Sequence, residues 1–131
     1  MATTNALINL GTPAEVAKRI GWQPVALTTS GAVQGAGAVM KGTGNQLVTL
    51  TVTSASDAAT LPNEAEIGDE VIVTNPGANA GVIYPPSGET INGNAADAQV
   101  TLAAAGSAGC NWRFMRVGAT TWTGRSGADA T

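Results

Sequence analysis

Residues 46–54 read QLVTLTVTS, with Val48, Leu50 and Val52 alternating strictly with Thr49, Thr51 and Thr53. A period of two sends successive side chains to opposite faces, which predicts a half-buried strand with a threonine-lined outer face. GDEVIVTNPG (68–77) predicts a second strand, entered by a turn and stopped by Asn-Pro-Gly. GVIY (81–84), AQVTLAA (98–104), GCNWRFMRV (109–117) and TTWT (120–123) follow at short, regular spacings. QPVALTT (23–29) and AVMKG (38–42) are weaker members of the series. Many short strands divided by Gly, Pro and Asn leave no room for crossover helices. The pattern predicts an all-β sandwich or barrel of about eight short antiparallel strands.

Near the start the periodicity is helical. In LGTPAEVAKRIGW, Thr12 stands at an N-cap position, Pro13 at the first helical position and Glu15 at the third, a capping box with the favoured proline inside it. Val16, Ala17 and Ile20 share one face and Gly21 is placed to end the helix, so a short helix is expected over residues 13–20. Two turns are too few to be stable alone. With Leu7, Ile8 and Leu10 before it and Trp22 after it, the segment forms an apolar arm that must lean on something. Leu7, Leu10, Ile20 and Trp22 are its candidate partner contacts. The expected organisation is an arm over 1–22, a β domain over 23–124 and a flexible tail over 125–131.

The stretch YPPSGETINGNAADAQ (84–99) interrupts the most strand-like region. Pro85 and Pro86 cannot donate ladder hydrogen bonds and fix an extended segment that another strand edge cannot invade. Gly88 and Asn92-Gly93 are turn residues suited to positive φ. The expectation is a stiff corner, rich in small side chains, that can lie against a neighbour with little side-chain entropy to lose.

Composition sharpens this picture. A length of 131 residues suits one domain. Ala, Gly and Thr fill 24, 17 and 17 positions, whereas Leu, Ile, Val and Phe together fill 25. So low an apolar content would suggest disorder in a highly charged chain, but charged residues are 11% and the formal net charge is −3. The reading is therefore a folded domain with a thin core, which gains from burying surface against copies of itself or a larger partner. Six basic residues are too few and too scattered for a nucleic-acid footprint. No apolar run approaches a membrane span, and the opening residues lack the pattern of a signal peptide. Cys110 is the lone cysteine, so no internal disulfide is expected.

Candidate reaction chemistry is sparse. Histidine is absent, and with it the usual proton-transfer group. Cys110 lacks an evident base and is expected to be inert. Glu64, Glu66, Asp69 and Glu70 have no metal-loop spacing. Gly35 and Gly37 lack the rest of a phosphate-binding motif and the helix that should follow it. Arg113 and Arg116 fall on opposite strand faces, so at least one is expected to be exposed. Trp112 and Trp122 are expected to fill core or interface space. No catalytic, cofactor-binding or metal-ligating residues are assigned, and the chain is read as a non-enzyme.

Residues 68–124 resemble a module of tailed-phage virion proteins, and the motif residues that carry the likeness are Asn79, Tyr84, Pro85, Pro86, Ser87, Gly88, Ile91, Asn92, Gly93, Leu102, Ala103, Ala104, Thr120 and Trp122. LINLGTPAEVAKRIG (7–21) is similar to the helical opening of small phage head proteins. The resemblance to head decoration, or cement, proteins implies a jelly-roll-like β-sandwich on the outer capsid surface. It implies a structural role that stabilises the head by bridging subunits of the major capsid protein, as a homotrimer or, second, a dimer. It implies a virion location and no cofactor. The same module in fibre-type appendages implies an alternative, a tail-fibre or head-appendage domain that binds a host-surface glycan through exposed aromatics such as Trp122.

Overall fold

The computed structural model describes residues 22–36 and 38–126. Over them the chain forms ten short strands and no helix. They are β1 (Gln23–Thr28), β2 (Ala38–Val39), β3 (Gln46–Thr51), β4 (Ala58–Thr60), β5 (Glu70–Thr74), β6 (Gly81–Tyr84), β7 (Thr90–Ile91), β8 (Val100–Leu102), β9 (Asn111–Arg116) and β10 (Thr121–Ser126). The helix expected over 13–20, with Leu7, Leu10 and Ile20, lies outside the described residues. β10 continues through Arg125 and Ser126, past the expected end of the β domain at 124, and 127–131 also lie outside the described residues.

The described residues are all-β, in two mixed sheets. One has six strands in the order β1-β3-β5-β9-β10-β7, the other four in the order β2-β4-β6-β8. Up to β6 the chain winds alternately between them, so that each turn of the winding leaves one strand in each sheet. Successive turns stack in parallel: β1 on β3 on β5 in the first sheet, β2 on β4 on β6 in the second. Gln23 stands beside Gln46 and Thr28 beside Thr51. Val25, Val48 and Val73 form one continuous inward row across the three turns.

After β6 the winding stops and the pairing changes. β8 covers the free edge of β6 and β9 that of β5, both antiparallel, and β10 pairs antiparallel with β9. β7 finishes the six-stranded sheet, parallel to β10. The antiparallel expectation is corrected here, because β1-β3, β3-β5, β2-β4, β4-β6 and β7-β10 are all parallel. A jelly roll is made of antiparallel Greek keys, and the parallel turns depart from that pattern. The physical reason lies in the linkers. Each turn returns the chain to the same end of the stack before its next strand, so consecutive strands of one sheet run the same way.

The core lies between the sheets. Its large side chains come mainly from the six-stranded sheet, with Val48, Leu50, Val71, Val73, Phe114 and Trp122 all buried. The facing sheet contributes Ala38, Ala59, Ile83 and Leu102. Large groups meeting small ones let the layers approach closely, which is how an alanine-rich chain with few bulky residues still fills its interior. β4 was not anticipated because Ala-Ala-Thr carries little hydrophobic contrast, and β7 because it is two residues long.

Close approach also fixes Gly81, where β6 begins. A Cβ there would lie 2.8 Å from the carbonyl oxygen of Asp57 and 3.0 Å from a methyl of Val52. Both neighbours belong to the preceding turn, and Val82 donates its N–H to that same Asp57 carbonyl at 2.9 Å. Gly81→Ala should therefore push two turns apart and lower stability by about 1–3 kcal/mol, measured by urea denaturation.

Candidate functional site

The corner at 84–99 is held inward. Pro85 and Pro86 are buried, and Glu89 donates its N–H to the Pro86 carbonyl at 3.0 Å, closing a turn around Ser87 and Gly88. Gly88 has φ of 81°, the left-handed geometry this turn requires. Asn92 and Gly93 have φ of 56° and 73°, and Asn94 N–H returns to the Ile91 carbonyl at 3.0 Å. Both turns expected from the sequence are thus present. The Asn92 side chain also acts as a strand: its amide donates to the Gly124 carbonyl and accepts from the Gly124 N–H, each at 2.8 Å. Asp97 and Gln34 brace the first turn. Gln34 Nε2 donates to the Pro85 carbonyl at 2.7 Å and to Asp97 Oδ1 at 3.0 Å, while Asp97 Oδ1 accepts from Gly88 N–H at 2.7 Å.

Beneath this corner lies a buried ion pair that the sequence pattern did not reveal. Arg116 projects inward from β9, and its Nη2 donates to Glu89 Oε2 at 3.0 Å. The other guanidinium donors reach carbonyl oxygens of Asn63 at 3.0 Å, Ala65 at 2.9 Å, Gly118 at 3.3 Å and Ala119. Five donors therefore meet five acceptors. Trp122 Nε1 donates to the second carboxylate oxygen, Glu89 Oε1, at 2.9 Å, and the Arg116 charge sits 5.7 Å from the centre of the Trp122 ring. Both carboxylate oxygens and all five guanidinium donors thus have partners. The arrangement clamps the 63–65 loop, the corner and β9-β10 together.

The more accessible polar surface lies on the outer face of the six-stranded sheet. Residues alternating with the core line an open groove of about 670 Å³ there. Arg113 and Arg125 stand directly opposite each other on β9 and β10, with Ile72 next to Arg113 on β5. Glu70, Met115 and Thr123 form the neighbouring row. Arg113 Nε reaches Glu70 Oε1 at 4.0 Å, a loose contact in a side chain that is 59% exposed. Trp112 and Asn111 close one end of the groove.

The remaining candidates fall into place around these features. Arg113 is exposed, as expected for at least one of the two arginines, whereas Arg116 is buried and paired. Trp122 is 1% exposed, in keeping with its expected place in core packing, and it is not the exposed aromatic that the glycan-binding alternative requires. Its ring fills the space between the sheets instead. Trp112 is half-buried, lies flat against Phe114 with ring centres 5.4 Å apart, and donates Nε1 to the Thr101 carbonyl at 3.0 Å. Trp22 is half-buried just before β1. Of the acidic group, Asp69 accepts from the N–H groups of Gly44 and Glu66, both at 2.8 Å. Gly35 donates its N–H to Thr60 Oγ1 at 2.9 Å, so its loop is tied to β4; Gly37 lies outside the described residues. Cys110 is half-buried, with the amide of Asn111 at 3.6 Å from its sulfur.

No protein-family model, curated protein or solved structure matches the chain.

Two outcomes test this description. Arg116→Met should leave Glu89 buried without a counter-charge and cost about 3–5 kcal/mol, measured by denaturant unfolding. The double variant with Glu89→Leu should recover part of that loss. The second concerns pH. The Gly88 N–H, with Gln34 as a smaller contributor, holds the Asp97 carboxyl below its ordinary 3.8. A carboxyl whose folded pKa is depressed contributes stability above its unfolded pKa and loses it as pH falls through the folded value. Asp97→Asn should therefore flatten the acid limb of a melting-temperature profile below about pH 4 and change little of its slope near neutrality.

Proposed function

We propose that this chain is a structural protein of a phage head, a decoration protein that binds the outer capsid surface and bridges subunits of the major capsid protein. The observation that carries the reading is the first turn of the winding, whose outer edges no strand among the described residues covers. β1 and β2 are the outer strands of the two sheets at the same end of the stack. Val25 and Leu27 on β1 are packed against the core yet only partly buried. The whole of β1, QPVALT, carries no charge. Edge strands are ordinarily guarded by charged side chains, prolines or bulges, and within β1 itself Pro24 is the only such residue. An end of this kind gains stability from a neighbour, and the resemblance of residues 68–124 to phage virion modules supports a capsid as that neighbour. Each copy would add a modest buried contact across a seam, and capsid symmetry would multiply it. A homotrimer is the preferred assembly, with a dimer second.

The role is adhesion without chemistry, and the chain needs no cofactor for it. The test is co-sedimentation with phage heads stripped of surface proteins. The full chain should bind at hundreds of copies per head. Removing residues 1–21 should abolish binding while leaving the β circular dichroism spectrum intact, and Leu27→Glu should weaken it through the edge. Unchanged binding by the truncated chain would overturn the arm's role, and failure of the full chain to bind any head would overturn the reading as a whole.

A further inference from the structure

We propose that the groove on the outer face of the six-stranded sheet binds an acidic saccharide, with its carboxylate held between Arg113 and Arg125. The first observation is electrostatic. Among the described residues the basic side chains are Lys41, Arg113, Arg116 and Arg125, and Arg116 is buried. Two of the remaining three stand face to face on neighbouring strands, in a chain whose net charge is −3. Like charges directly opposite on one face of a sheet repel. Glu70 relieves this only in part, being at the 4.0 Å limit from Arg113. A carboxylate seated between two guanidinium groups would turn the repulsion into two charge-assisted, planar hydrogen-bonded contacts.

The second observation is the shape and chemistry around that pair. A cavity of about 670 Å³ is of a size that takes a small ligand. Its floor offers Ile72 and Met115 as apolar surface. Asn111 and Thr123 stand beside it, and the Asn111 amide is held by nothing stronger than a 3.6 Å contact to the Cys110 sulfur. An amide donates and accepts at once, as a sugar hydroxyl does, so this lining suits a polyhydroxylated ring better than an extended acidic peptide. This site is separate from the buried Trp122 and from the β1 edge, and it stands whether or not the chain binds capsids.

The experiment is an amide-resolved NMR titration of the full chain with three probes: a glucuronate-containing disaccharide, a neutral glucose disaccharide and a triglutamate peptide. The glucuronate probe should shift resonances of β5, β9 and β10. Either Arg113→Gln or Arg125→Gln should weaken it about tenfold, as the loss of one charge-assisted contact would. Raising the salt concentration should weaken it as well. A ligand-free readout accompanies this: relief of like-charge repulsion should raise the melting temperature of Arg125→Gln above that of the unaltered chain at low salt, with the gap closing at high salt. Equal affinity for the neutral disaccharide would overturn the proposal. So would preference for the peptide, absence of any shift in the groove with the glucuronate probe, or a lower melting temperature for Arg125→Gln.

Discussion

The fold turns on one buried guanidinium. Taking Arg116 and Glu89 out of water carries a desolvation cost of several kcal/mol for each ion. Mutual attraction offsets that cost only when the remaining donors and acceptors are also satisfied, and here they are: the four other guanidinium donors meet carbonyls of Asn63, Ala65, Gly118 and Ala119, and Trp122 takes the second oxygen of Glu89. Three segments of chain, the 63–65 loop, the corner and the β9-β10 hairpin, must be in place at once for this to happen. The pair therefore specifies which loops meet, beyond whatever it adds to stability. It also explains the rigid corner at 84–99: the two turns and buried prolines aim Glu89 inward at a fixed depth.

Around that clamp the molecule has two unlike ends. Where β8 and β9 cover the last parallel turn, the stack is closed by antiparallel strands. At β1 and β2 the outer strands have no partner strand among the described residues, and Val25 and Leu27 remain half-covered. Stacked turns need capping, since each buries its apolar side only against its neighbours. This asymmetry is what makes a surface-bound structural role physically reasonable for a domain with so small a supply of bulky residues.

Small polar residues do the work that large apolar ones do elsewhere. The turns of the winding are tied by side chains that cap backbone groups of the next turn. Thr29 Oγ1 donates to buried Asp57 at 2.9 Å and accepts from Thr53 N–H at 2.9 Å. Buried Asn75 donates to carbonyls of Asn79 and Ala103 at 2.7 and 3.0 Å, and Asn79 reaches back to those of Val52 and Thr53 at 3.3 and 3.1 Å. Such short side chains lose little rotamer entropy when fixed, and they keep the backbone groups at the corners satisfied.

The alternation of Val48, Leu50 and Val52 with threonines, and its weaker counterparts, determined the β character of the described residues and the approximate place of eight of their strands. Turn chemistry determined Gly88 and Asn92-Gly93, because positive φ leaves few residue types to choose from. A repeat was also legible: Gln23, Val25, Leu27 and Thr28 recur at Gln46, Val48, Leu50 and Thr51, and these are the pairs that stand side by side in the parallel sheet. Such recurrence is the mark of stacked turns. Strand direction was decided only in three dimensions, because period two says which face a residue takes but nothing about which way its neighbour runs. Tertiary structure alone paired Glu89 with Arg116, 27 residues apart. It also set Arg113 against Arg125. Charge pairing depends on which strands become neighbours, and only the folded chain settles that.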